Sequence, residues 1–372
     1  MLSRYSDHLE ILASEHRRRA LQPRGGVDFS SNDYLAMAHA PAMREAVSAA
    51  LTRGVSIGSG GSRLLRGNDP EHEALEREAA AFYGSEAALF LSSGYVANSA
   101  LLSTLPQRED HIFYDALVHA SAHEGMRLAR CGRTEVPHND AGAFEDAIVR
   151  WRGEGRRRRP WIVVESLYSM DGDQAPLDAL ADIAARHEAF LVIDEAHATG
   201  VFGPRGRGLA AALQGRENVI VLRTLGKALG CEGALICCAA VLRDFLVNRA
   251  RGFIFSTAPS PLMAAAARAA IGLVAASDDR RAELRALCTH AERRLARHGA
   301  VATGSQILPL VLGNDARTMA IAWRLQAAGY DVRGIRPPTV APGTSRLRIA
   351  LTLNVTTADI DGLDKALERA LA

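Results

Sequence analysis

Five short apolar runs, at 87–91, 111–114, 161–164, 190–193 and 219–222, recur along the first two thirds of the chain, and each stops on polar residues. Runs this short, apolar at nearly every position, predict strands covered on both faces. Between them the apolar spacing predicts helices over 70–83, from Tyr95 and from Leu177. Strand alternating with helix implies an α/β fold with a doubly wound, mainly parallel sheet. Ahead of this region an alanine-rich helix at 41–51 leads into 54–63, too rich in glycine for helix or strand and expected as a loop whose backbone can approach a ligand. The first 24 residues carry helical spacing at Leu9, Leu12, Ala13 and His16 before Arg17-Arg18-Arg19 and a Pro-Arg-Gly-Gly turn. A long alanine-rich helix at 264–276 is expected to join two bodies, and short strands with a last helix at 357–371 predict a compact α+β domain. The division read from the chain is an N-terminal arm (1–36), a large domain (37–273) and a small C-terminal domain (274–372).

With 372 residues the chain exceeds what one core usually supports. Its 44 Lys and Arg against 42 Asp and Glu leave a net charge of +2, so nothing in the bulk charge points to nucleic acid or an anionic membrane. Five scattered cysteines without a C-x-x-C pair indicate neither a disulfide framework nor a thiolate zinc site. No stretch approaches the ~20 uncharged apolar residues of a membrane span, and the N-terminus lacks a signal-peptide core. A cytoplasmic location is the expectation.

Groups just past the carboxyl ends of parallel strands face the ligand crevice of an open sheet. Here those groups are Asp194 and His197 after one run, and Lys227 after the next. An amine for a Schiff base, a carboxylate for a pyridine nitrogen and an imidazole for a ring hydroxyl are what pyridoxal phosphate requires. Competing short patterns fail on context. Asp194-Glu-Ala-His197 matches a helicase metal motif, but no G-x-x-x-x-G-K-[ST] accompanies it. Gly54-Val-Ser-Ile-Gly58 spells a hydrolase nucleophile elbow, yet a helix precedes it instead of a strand. His119-Ala-Ser-Ala-His123 has alanine where a zinc protease carries its glutamate, so no metal site is expected. Arg156 to Arg159, without interleaved aromatics, reads as a solvated loop.

Several segments occur together in one order: Phe29-Ser-Ser-Asn-Asp-Tyr-Leu35, Gly58-Ser-Gly-Gly-Ser-Arg63, Ser92-Ser-Gly-Tyr-Val-Ala-Asn98, His119-Ala-Ser121, Glu165 to Gly172, Asp194-Glu-Ala-His-Ala-Thr-Gly200, Thr224-Leu-Gly-Lys227, Phe255-Ser-Thr257 and Arg336-Pro-Pro-Thr-Val340. With them the chain resembles the α-oxoamine synthase family of pyridoxal-phosphate enzymes over essentially its whole length. The resemblance implies a homodimeric fold-type I transferase with active sites shared between subunits. It implies that Lys227 holds pyridoxal 5′-phosphate and moves the α-proton, that Asp194 keeps the pyridine nitrogen protonated, and that His197 and Ser169 bond the ring oxygen. His119 would stack on the ring. The backbone at Gly94 and Tyr95 and the Thr224 hydroxyl would meet the phosphate, which Thr257 would reach from the partner subunit. Arg336 would clamp the amino-acid carboxylate, with Asn32, Thr339 and Arg17 as further substrate contacts.

Two positions depart from the family pattern: Cys231-Glu232 follows the lysine loop in place of Val-Ser, and Arg223 precedes the phosphate threonine. The Pro-Pro after Arg336 and the 58–62 loop resemble the branch that condenses L-alanine with a pimeloyl thioester in biotin synthesis. The donor carrier, coenzyme A or acyl carrier protein, stays open. Glycine-using members, 5-aminolevulinate synthase and 2-amino-3-ketobutyrate CoA ligase, are the alternatives within the family. A non-catalytic partner subunit of the same fold would be expected to lack the lysine.

Overall fold

A computed structural model describes residues 2–155 and 158–372. By its contacts the chain divides into two units: Leu35–Tyr168 with Gln174–Arg281, and the residues up to 34 with Ser169–Asp173 and Ala282–Ala372. The helix Pro261–Ala275, read from sequence as a joint, lies within the larger unit, and the division falls between Arg281 and Ala282. Arg156 and Arg157, half of the arginine run, lie outside the described residues; Arg158 and Arg159 pair at the surface with Glu109 and Glu188.

The larger unit is built on a seven-stranded sheet. Its spatial order is Ala87–Leu91, Ala234–Cys238, Val219–Thr224, Phe190–Asp194, Pro160–Glu165, His111–Asp115 and Gly132–Val136. Ala234–Cys238 runs antiparallel to both its neighbours, and the other six strands point the same way. Every residue of Pro160–Glu165 and Val219–Thr224 is buried, which explains the continuous apolar runs. Two strands escaped the sequence reading. Gly132–Val136 is an edge strand with four exposed residues and no apolar pattern, and Ala234–Cys238 follows the lysine loop too closely to stand out as an element.

The period of two sorts side chains between two cores. Val163, Val192, Ile220 and Leu222 join one core with Ala97 and Leu101 of the helix Gly94–Thr104. Ile162, Val164, Leu191, Ile193, Val219 and Val221 join the other, with Ile148 and Leu180 of the helices Ala141–Gly153 and Leu177–Arg186. Continuing the alternation, Glu165, Asp194 and Thr224 fall on the Gly94–Thr104 side, whereas Arg223 falls on the opposite side. The sheet thereby delivers three polar groups to one face at its carboxyl end.

The helix Pro70–Tyr83 shows how local sequence sets an element. Asp69 caps it by accepting from Glu71 N–H, Pro70 is its first residue, and Gly84 ends it in the left-handed region at φ 83°. All five cysteines are free. Burial pushes the Cys131 thiol up to about 11 and the Cys231 thiol to about 12.

The smaller unit holds a three-stranded antiparallel sheet in the order Arg333–Ile335, Ser345–Ala350 and Ile307–Gly313, with helices Asp315–Ala327 and Thr357–Leu371. The N-terminal segment contributes Val27–Asp28, which pairs in parallel with Tyr330–Asp331. Its helix, Ser3–Ser14, ends just before the last position of the helical spacing, His16, and buries none of its residues. Among the described residues no single helix is long and apolar enough to cross a membrane.

Candidate active site

At the carboxyl end of the large sheet a cavity of about 330 Å³ is lined by Gly94, Tyr95, His119, Asp194, His197, Thr224 and Lys227, together with Asn98, Ser121, Glu165, Cys231 and Glu232. Seven residues singled out from the sequence therefore meet in one place. Lys227 Nζ lies 2.7 Å from His197 Nε2, and His197 is buried. Asp194 sits at the floor, its Oδ1 accepting from Ala196 N–H at 2.9 Å and its Oδ2 from Asn98 Nδ2 at 2.7 Å.

The helix Gly94–Thr104 opens onto the cavity. Ser93 caps it by accepting from Val96 N–H. The first N–H groups of a helix have no intrahelical acceptor and sit at the positive end of its dipole, so they suit a phosphate. A Cβ on Gly94 would lie 2.6 Å from Thr224 Cγ2, so only glycine brings the helix start this close to the threonine strand. Pyridoxal phosphate requires a cradle for its phosphate, a carboxylate for its ring nitrogen and an amine for its aldehyde, and the cavity lining supplies a bare helix N-terminus, Asp194 and Lys227.

His119 caps the helix Ala120–Leu128, its Nδ1 accepting from Ser121 N–H. Partial enclosure of the ring lowers its basicity; Asp194 opposes this, while Lys227 and His123 add to it. Thr224 donates to Ala196 O at 3.2 Å. Thr257 is exposed and does not line the Lys227 cavity of its own chain.

The remaining expected site residues belong to the smaller unit. Ser169 O accepts from Arg348 Nε at 2.6 Å. Asn32 Oδ1 accepts from Tyr34 Oη at 2.9 Å and from Arg348 Nη2 at 3.0 Å. Arg17 pairs with Asp315 at 3.0 Å and with Glu15 at 3.2 Å. Arg336 is buried and donates to Arg18 O at 3.0 Å, but its Nε has no hydrogen-bond partner among the described residues. Burial lowers its pKa, with Arg19 adding to the effect. Thr339 is exposed, its N–H bonded to Arg336 O.

Asn98, Ser121 and Glu165 line the site yet were read from sequence only as parts of matched segments. The available signal for Asn98 was spacing, one helical turn after Gly94. Glu195, the acid of the helicase-like pattern, is bonded to Arg223 and does not line the cavity.

Comparison with known proteins agrees with this geometry. The family described as aminotransferase class I and II matches residues 24–367. An 8-amino-7-oxononanoate synthase from Anaeromyxobacter dehalogenans is 44% identical over 98% of this chain and 94% of its own length. 8-Amino-7-oxononanoate synthase 2 from Bacillus subtilis is 42% identical over 90% of this chain and 85% of its own. Among solved structures, a serine palmitoyltransferase from S. paucimobilis superposes with TM-score 0.88 at 25% identity, covering 100% of this chain and 98% of that one. An 8-amino-7-oxononanoate synthase from Francisella tularensis superposes with TM-score 0.79 at 27% identity, over 93% and 98% of the two chains. With the Lys227, Asp194 and His197 constellation at the carboxyl end of a largely parallel sheet, and a family match across most of its length, the chain belongs to the class I and II aminotransferase family of pyridoxal-phosphate enzymes.

Proposed function

We propose that the protein condenses L-alanine with a pimeloyl thioester to give 8-amino-7-oxononanoate, carbon dioxide and the free thiol, a step of biotin biosynthesis. The observation that carries the chemistry is Lys227 Nζ set 2.7 Å from His197 in a cavity floored by Asp194. The identity of the relatives, 42 to 44% over nearly the whole chain, supports the choice of substrates.

When bound, pyridoxal phosphate supplies an electron sink conjugated to the amino-acid α-carbon. Lys227 would hold the cofactor through its amine and would be the base that moves the α-proton. That work needs a neutral amine, which a desolvated site favours. Asp194 is assigned to the pyridine nitrogen, His197 and Ser169 to the ring oxygen, and His119 to the ring face. The amides of Gly94 and Tyr95 with the Thr224 hydroxyl are assigned to the phosphate, and Thr257 to the phosphate of the partner subunit in a homodimer.

Arg336 is assigned to the substrate carboxylate. Its buried Nε lacks an acceptor among the described residues, and a carboxylate would satisfy the guanidinium as a two-pronged acceptor. Asn32 and Thr339 complete the amino-acid contacts, and Arg17 meets the acyl donor, which is carried on coenzyme A or acyl carrier protein in the cytoplasm. The test is carbon dioxide release from L-alanine and from glycine with pimeloyl, succinyl and acetyl thioesters, together with rescue of a biotin auxotroph blocked at this step. Faster turnover with L-alanine and pimeloyl thioester, plus rescue, is expected. Preference for glycine without rescue would move the protein to another branch of the same chemistry.

A further inference from the structure

We propose that Asn98 is a positioning residue whose side-chain amide orients the Asp194 carboxylate and, through Ser121, fixes which ring nitrogen of His119 carries the proton. The inference rests on the assignment of Asp194 to the pyridine nitrogen and of His119 to the ring face.

Asn98 is 2% exposed, on the helix Gly94–Thr104. Its Nδ2 lies 2.7 Å from Asp194 Oδ2 and 3.0 Å from Ser121 Oγ. An ionised carboxylate can only accept, so the nitrogen end of the amide must face it, and the two hydrogens on that nitrogen serve the two partners. Ser121, fully buried, receives one of them on its hydroxyl oxygen and turns its own proton to His119 Nδ1 at 2.8 Å. Ser121 main-chain N–H points at the same nitrogen at 3.2 Å, and a main-chain N–H can only donate. Nδ1 is therefore an acceptor, and neutral His119 carries its proton on Nε2. Polarity runs in one direction from Asn98 to the ring.

Packing explains why this chain of bonds exists. A Cβ on Gly125 would lie 2.9 Å from Asn98 O and 2.9 Å from Leu102 Cβ, so glycine at 125 lets the helices Gly94–Thr104 and Ala120–Leu128 touch backbone to backbone. Ser121 is one turn before Gly125, and this close approach carries its hydroxyl to the Asn98 amide. The charged groups that act on His119 are Asp194, Lys227 and His123, and Glu165, His197, Cys231 and Glu232 line the same cavity. Of these, only Asp194 is tied to the same amide.

The test compares holoenzymes carrying Asn98→Leu, Ser121→Ala and Asp194→Asn with the wild type. Readouts are the pyridoxal phosphate dissociation constant, the visible-absorbance pH titration of the bound cofactor, kcat and KM for L-alanine, and the pH profile of kcat/KM. Loss of a hydrogen bond to a charged group predicts about tenfold weaker cofactor binding in Asn98→Leu. A shifted titration midpoint and a kcat about tenfold lower, with KM changed less than about twofold, should accompany it. Ser121→Ala removes one of two donors that favour neutral His119, so the ring becomes more basic and the acid limb of kcat/KM moves to higher pH. If Asn98→Leu does not fold, that displacement decides the question.

A lower melting temperature in Asn98→Leu with unchanged cofactor affinity, titration and kcat would overturn the proposal, as would an unmoved acid limb in Ser121→Ala. If Asp194→Asn itself behaves as wild type, the assignment of Asp194 fails first, which separates the two readings.

Discussion

Arg223 and Glu195 form a fully buried ion pair, Nη1 to Oε2 at 2.7 Å, immediately behind the strand ends that carry Thr224 and Asp194. The guanidinium also donates to Arg207 O at 2.6 Å and to Gln214 at 3.2 Å, and it lies 4.0 Å from the Tyr83 ring centroid. Glu195 accepts in addition from Ala210 N–H at 2.7 Å. The arginine that departs from the family pattern is thus a fastening on the far side of the sheet from the chemistry. Removing one half of such a pair strands a buried charge. Arg223→Met should cost about 3–5 kcal/mol, read from denaturant unfolding. Removing both partners, as in Arg223→Met with Glu195→Leu, should cost less than the single change; a larger loss in the double variant would refute this account.

Borohydride treatment of the purified protein should fix pyridoxal phosphate to a single peptide containing Lys227. Lys227→Ala should bind cofactor without becoming labelled and lose turnover by at least about 10²–10⁴-fold, the usual contribution of a proton-transferring group. Label found on another lysine would remove Lys227 from its assigned role.

Asp194→Asn keeps the shape of the side chain and its contact with Ala196 N–H but removes the ionic partner of the ring nitrogen. Cofactor retention with a kcat lower by a factor of about 10² is the expected result. Turnover equal to wild type would show that the carboxylate charge is dispensable.

Sharing of sites between subunits can be tested by mixing. A Lys227→Ala chain and a chain disabled at Thr257 are each inactive alone, and verified heterodimers of the two should recover activity because one of their sites is intact. Heterodimers without activity, with the Thr257 change shown to be disabling, would argue that each subunit works alone.

In the smaller unit burial opposes ionisation of Asp364, but hydrogen bonds from Arg297 and His298 and the charges of Arg297 and Arg294 pull its carboxyl below the usual range. A depressed carboxylate contributes stability that is fully present above the unfolded value of about 3.9 and is lost as pH falls through the folded one. Asp364→Asn should therefore cost about 1–3 kcal/mol at neutral pH, and the gap from wild type should narrow only below about pH 4. A gap that is constant down to pH 3 would point to packing in place of charge.

What could be read from the chain tracks what burial writes into it. Strands such as Phe190–Asp194 are covered on both faces, so their composition announces them, and their last residues mark the ligand end of the sheet. Gly132–Val136, exposed on an edge, carries no such mark, and nothing in Ala-Leu-Ile-Cys-Cys tells a reader that the strand runs backwards. In the site, Asp194, His197 and Lys227 were legible because their chemistry is specific and their place after a strand is simple. Asn98 and Ser121 were not, because their importance lies in whom they touch across two helices. Arg223 looked out of place in the sequence, and its meaning required a partner 28 positions away.

Cys231 lines the cavity in which a thioester is assigned to react, and its thiol is pushed up to about 12. Thiol–thioester exchange runs through the thiolate, and partial burial disfavours that form of Cys231. An ordinary cysteine at this spot would be a standing hazard of self-acylation, capturing the acyl group on the protein and discarding its activation to water. Partial burial disfavours the reactive form of that nucleophile without removing it, which favours keeping the acyl group for carbon–carbon bond formation.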